Sequence, residues 1–143
     1  MLVRKANATD APWLQVLYLL LAGDACVLPE HISALSEDPR AALFVCQIDQ
    51  VVVGTATVNL CRDVMYGERP FAVVENVVVF ERLRGQGIGT ALMLAVQQFC
   101  ADARCAKIMV MDATGDTRVQ HFFARAGYQG DVKRGFVRYF PQA

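Results

Sequence analysis

No charge of either sign prevails in this chain: 14 Lys and Arg balance 14 Asp and Glu over 143 residues. That balance removes the basic field by which a protein is drawn to nucleic acid or to an anionic membrane surface, so neither is an expected partner. Long apolar runs are missing too. The longest helix-like one, Trp13 to Ala22, falls well short of the ~20 residues that a bilayer crossing needs. Among Cys26, Cys46, Cys61, Cys100 and Cys105 there is no C-x-x-C pair, and their odd number fits no closed set of disulfides. No apolar leader precedes the first charges, because Met1-Leu2-Val3 runs straight into Arg4-Lys5. The reducing cytoplasm is therefore the expected compartment. Neither His31 nor His121 has a second His or carboxylate at ligand spacing, so no metal site is expected. Repeats, linkers and low-complexity tracts are absent, which leaves one domain over residues 1–143.

What is present is apolar. A hydrophobic content of 55% favours a compact globule with a real core. Residues 2–6 suit a first strand. Thr9 or Asp10 can cap a helix with Pro12 in its first turn and Leu14, Leu17, Tyr18 and Leu21 on its apolar stripe. An irregular stretch over 23–40 holds a short helix near 30–36. Residues 42–48 and 51–60 then read as a hairpin turned by Asp49-Gln50. A polar loop over 62–70 follows. Further along, 107–111 suits a buried strand, 112–116 a loop, and Thr117-x-x-Gln120 a capping box opening a short helix closed by Gly127. Tyr128 and 135–140 supply the last strand material.

The organising stretch is 73–104. Val77-Val78-Val79-Phe80 is β-branched and short, which favours a strand over a helix. Gly85, Gly87 and Gly89 alternate beside Arg82 and Arg84, and Ile88, Leu92, Ala95, Val96 and Phe99 then recur at helical spacing. Glycines let a ligand approach main-chain N–H groups, and a helix start adds unpaired donors and the positive dipole end. The combination suits a phosphate or pyrophosphate. A P-loop is excluded, because no Lys follows the glycines. A dinucleotide fold gains from Asp112, but its glycines should follow the strand at once in the spacing G-x-G-x-x-G.

Arg84-Gly85-Gln86-Gly87-Ile88-Gly89 matches R/Q-x-x-G-x-G/A, and here the chain resembles the GNAT superfamily of N-acetyltransferases. Arg4-x-Ala6-x-x-x-Asp10 is similar to the family's opening. His121-Phe122-Phe123-Ala124-Arg125-Ala126-Gly127-Tyr128 resembles its late signature F-Y-x-x-x-G-F/Y. The resemblance implies an α/β (α+β) fold, with a mixed central sheet of about six to seven strands flanked by about four helices. It also implies acetyl-CoA as co-substrate and transfer to a primary amine of a small molecule by direct attack in a ternary complex. The pyrophosphate would meet Arg84, Gly85, Gln86, Gly87, Ile88, Gly89 and Thr90, and the pantetheine arm would pair with main-chain groups of Asn76, Val77, Val78 and Val79.

Amine acylation needs a neutral nucleophile, whereas an alkylammonium has a pKa near about 10. Glu75 is an acid in an apolar strand, which suits a cleft position and the role of base. Glu75-Asn76-Val77-Val78-Val79 is similar to the Glu-Asp-Val-Val-Val strand of amino-sugar-phosphate acetyltransferases and to its counterpart in aminoalkylphosphonate acetyltransferases. There the N–H around Val77 would steady the thioester oxygen. Many relatives protonate the leaving thiolate with a Tyr, where this chain has Phe123. That departure keeps open an acyl-CoA-binding sensor or partner module without turnover. His31, Tyr66 and Glu75 are the expected substrate contacts. Asp24, Glu30, Glu37 and Asp38 favour a cationic acceptor, Arg62 and Arg69 an anionic tail, and protein amines stay open as acceptors. The resemblance further implies a homodimer paired through the last strand.

Overall fold

The structure, a computed structural model, describes residues 1–112 and 115–141. It divides into two compact units, Met1–Val110 and Met111–Ala143. In the first unit the elements run β1 (Leu2–Lys5), α1 (Ala11–Leu19), α2 (Pro29–Glu37), β2 (Ala41–Ile48), β3 (Val51–Cys61), β4 (Phe71–Val79), α3 (Ile88–Asp102) and β5 (Ile108–Val110). The strands form one sheet in the order β1-β2-β3-β4-β5. The first three pairings are antiparallel and β4–β5 is parallel, so the sheet is mixed as expected.

The hairpin between β2 and β3 turns on Asp49 and Gln50, both at positive φ (48° and 69°), as a two-residue turn matched to strand twist requires. Residues 41–46 of β2 are all buried because helices cover both sheet faces. Leu43 and Val45 join Leu14 and Leu17 of α1, Ile32 of α2, Val52 and Val78 in one apolar cluster. The intervening Phe44 faces the other way and meets Phe99 of α3 edge-on, with ring centroids 6.3 Å apart. Gly54 lies under α3. A Cβ there would sit 3.1 Å from both Ile88 and Val79 and 3.2 Å from Leu92, so its lack of a side chain is what lets the first turns of α3 settle on the sheet.

Ahead of α1, Asn7 opens a 3-10 turn over Ala8–Asp10 and forms a capping box with Asp10. Arg4 of β1 donates twice to Asp10, at 2.8 and 2.9 Å, and the Asn7 N–H donates to it at 2.9 Å. Those Arg4 hydrogen bonds hold the Asp10 carboxyl below the usual range, against the opposing effect of burial.

In the second unit, α4 (Thr117–Arg125) is capped by Asp116 rather than by Thr117. The Asp116 carboxylate accepts from the N–H groups of Arg118 at 3.0 Å and Val119 at 3.4 Å. Gly127 closes the helix at φ 97°, where a left-handed residue is needed. The sheet has five strands among the described residues, fewer than the six to seven expected, and 135–140 forms none. Phe136, Val137, Tyr139 and Phe140 are exposed. Apolar side chains at both parities give that stretch no distinct buried face, so alternation does not commit it to a sheet. Of the expected 112–116 loop, Ala113 and Thr114 lie outside the described residues.

Candidate active site

The second half of β4 departs from a regular strand. Thr55 pairs with Val78 and Thr57 with Glu75, so Asn76 and Val77 together face Ala56 alone. This is a β-bulge, and it puts Asn76 at φ 57°. Asn is among the few residues that take up that conformation readily. On its other edge β4 pairs with β5 only at Ala72, Val73 and Val74. Beyond Val74 that edge has no strand partner among the described residues, although β4 continues to Val79. Every other main-chain group there is available to a ligand that mimics a strand.

The open edge leads into the glycine turn. Glu81–Leu83 makes one 3-10 turn, Arg84 is extended, and Gly85 and Gly87 adopt φ 80° and 84°. Nothing lies within 4 Å of where a Cβ would stand at either glycine. Gly87 is the N-cap of the 15-residue α3 and brings no side-chain cap. The amides of Ile88, Gly89 and Thr90 therefore start a helix uncapped, at its positive dipole end. Arg82, Arg84 and Gln86 are exposed beside them. The residue set fits a diphosphate: open space above glycines, free donors and cationic side chains in one stretch.

Glu75 is exposed, and its register places it. Leu43 pairs with Thr57 and Thr57 with Glu75, so all three side chains share the sheet face that α1 and α2 cover. On that face a cleft of about 360 Å³ separates the α1–α2 segment from the bulge. His31 and Asn76 both line it, as do Tyr18, Leu28 and Leu43. Tyr66 does not. It is exposed in the 62–70 loop, which joins the start of β4 at Phe71, the opposite end from the glycine turn. That loop borders a separate opening lined by Arg62, Asp63, Val64, Glu68 and Pro70. Arg69, expected as an anion ligand, instead donates to the carbonyls of Arg104 (3.2 Å) and Cys105 (3.0 Å), fastening the loop to the turn after α3.

The five cysteines are free thiols. Burial pushes the Cys100 thiol up to about 12, with its neighbour Cys105 adding to the effect, and burial raises Cys46 as well. Neither suits a nucleophile. In the second unit Phe123 packs edge-on between Phe122 (5.0 Å) and Tyr128 (5.9 Å).

The sequence reading gave Asn76 a main-chain place beside the pantetheine arm but missed its bulge and its side chain in the cleft. Its signal was an Asn inside an apolar strand, a residue depleted in strands and tolerant of positive φ. The resemblance places the wall of an acceptor pocket in the 23–40 segment; what it does not give is that Tyr18 of α1 and Leu21 just after it add to that wall, and that Leu43 and Asn76, distant in sequence, complete the lining.

A sequence model of the acetyltransferase (GNAT) family matches residues 12–128. The chain is 30% identical over 130 residues to an aminoglycoside N(6')-acetyltransferase type 1 of Stenotrophomonas maltophilia, covering 89% of this chain and 82% of that protein. A solved structure from Agrobacterium tumefaciens str. C58, described as an acetyltransferase, superposes at TM-score 0.86 with 26% identity, covering 97% of this chain and 100% of that one. Glucosamine-6-phosphate N-acetyltransferase of Arabidopsis thaliana shares the fold at TM-score 0.85 and 18% identity, over 98% of both chains.

Proposed function

The chain belongs to the acetyltransferase (GNAT) family and is an acetyl-CoA-dependent N-acyltransferase, and from that premise we propose direct transfer of the acetyl group to a primary amine of a small molecule, with both substrates bound at once. The observation that carries this reading is the continuous open path from the free edge of β4 beyond Val74 to the uncapped start of α3. Coenzyme A supplies an activated acyl group as a thioester. The chain's own groups do the rest.

Main-chain donors and acceptors of Val77, Val78 and Val79 hold the extended arm, and the amides of Gly85 to Thr90 hold the diphosphate, with Arg84 and Gln86 beside it. The bulge, which sets Asn76 and Val77 together opposite Ala56, interrupts the regular β3–β4 ladder, and this supports the Val77 N–H as the donor for the oxygen on which charge develops. Glu75 accepts the amine's proton, directly or through water. A thiol pKa near about 8.5 makes the thiolate a fair leaving group, so Phe123 in place of a phenol does not prevent turnover. The family match spans both compact units, which supports one catalytic domain over the whole chain. The curated relative acts on an amine of a small molecule, and this supports an acceptor of that size.

The test is free-thiol release from acetyl-CoA over a broad amine panel, with the wild type and Glu75→Gln. The variant is expected to lose about 100-fold in kcat/KM at pH 7. At pH 9 the loss should be smaller, because the fraction of neutral amine rises as its pKa is approached. Equal losses at both pH values in a folded, cofactor-binding variant remove Glu75 as base. Cofactor binding without thiol release from any amine returns the chain to the sensor reading.

A further inference from the structure

The cleft that ends at Asn76 has a chemical character of its own. Leu21, Val27, Leu28, Ile32, Leu35 and Leu43 wall it, and its polar groups are those of Tyr18, His31 and Asn76. No Asp, Glu, Lys or Arg of the described residues lines it. The acids of the neighbouring segment, Asp24, Glu30, Glu37 and Asp38, are not part of the lining. Its volume of about 360 Å³ is near the lower end of the roughly 300–1,000 Å³ that small-molecule sites occupy. That space suits one ring or a short alkyl chain.

We infer that the acceptor is a primary amine carried on an uncharged, largely apolar body, and that Asn76 sets this preference by placing a neutral amide where the cleft meets the reacting strand. The inference rests on the amine-acetyltransferase reading above. A polycation laid in this open cleft would set ammonium groups against leucine and valine with no counter-charge in its lining, which partial desolvation opposes. An apolar amine makes the opposite exchange. Its body is removed from water by the α1–α2 wall, and the apolar surroundings favour the neutral, nucleophilic form of its single amine. Glu75, on the same sheet face and exposed, then serves one ammonium at the reacting end and no second one. The acceptor class therefore parts from that of the aminoglycoside-modifying relative.

Two measurements on the full chain test this. Thiol release is followed with 2-phenylethylamine, hexylamine, spermidine and kanamycin, and calorimetry follows binding of the same amines to the protein saturated with coenzyme A. Phenylethylamine or hexylamine should exceed spermidine and kanamycin by at least tenfold in kcat/KM and in affinity. Asn76→Asp, which keeps a side chain suited to positive φ, should narrow that ratio about tenfold, and Leu28→Glu at the exposed rim should act in the same direction. Equal or better turnover of spermidine or kanamycin by the wild type overturns the inference and leaves the acetyltransferase reading standing. Tight binding of the apolar amines with no thiol release from any amine upholds the cleft assignment and removes the transfer reading. Failure of the apolar amines to bind overturns the inference.

Discussion

Asp10 shows how one side chain can hold together a strand and the helix that borders the cleft. It is 4% exposed, accepts both hydrogen bonds of the Arg4 fork, and starts α1 behind the Asn7 turn. Its carboxyl is held below the ordinary range, so its contribution is fully present above the unfolded value near about 4 and is lost as pH falls through the folded one. Wild-type protein should accordingly lose stability steeply below about pH 4, and Asp10→Asn should flatten that dependence while costing about 2–4 kcal/mol at pH 7. Denaturant melts at a series of pH values measure both. The spacing Arg4-x-Ala6-x-x-x-Asp10 was visible in the sequence as a family likeness. Its cause, a two-pronged ion pair between strand and helix start, was not. Glu75 and Asn76 divide in the same way. An acid in an apolar strand announces itself, whereas the backbone reversal at Asn76 depends on how β3 is registered against β4.

Among the elements, β3 and α3 are joined at their closest where residue 54 has no side chain. Gly54→Val would drive two methyl groups toward Ile88, Val79 and Leu92, all already at the limit for a Cβ. Overpacking of this kind costs about 1–3 kcal/mol. Relief by lifting the start of α3 would carry the Gly87 cap and its free amides with it. The expected result is a lower Tm together with at least tenfold weaker coenzyme A binding, while Gly23→Val, in open space, leaves both near wild type. Calorimetry and thermal melts separate the two. Local chemistry made most elements legible: the Asp49-Gln50 turn, Pro near the starts of α1 and α2, and the glycines before α3 each act within a few residues. Residues 135–140 were misread because a strand exists only with a partner, and partner choice is not a local property.

At the scale of the whole molecule, the first unit is a sheet with helices on both faces and, among the described residues, no strand partner for the second half of β4 on its β5 side. The chain order of elements was legible from β1 to α4, since periodicity reports it directly. What the sequence withheld was the geometry where β4 and β5 separate, a consequence of β5 ending at Val110 while β4 runs on. A bare β4 margin is a template for any other extended chain, and this protein carries no net charge to keep copies apart. The natural cofactor would then serve as a plug as well as a reagent. Light scattering during a slow temperature ramp should begin several degrees higher with saturating coenzyme A than without it. Desulfo-coenzyme A, which has the same arm and no reactive sulfur, should protect equally well.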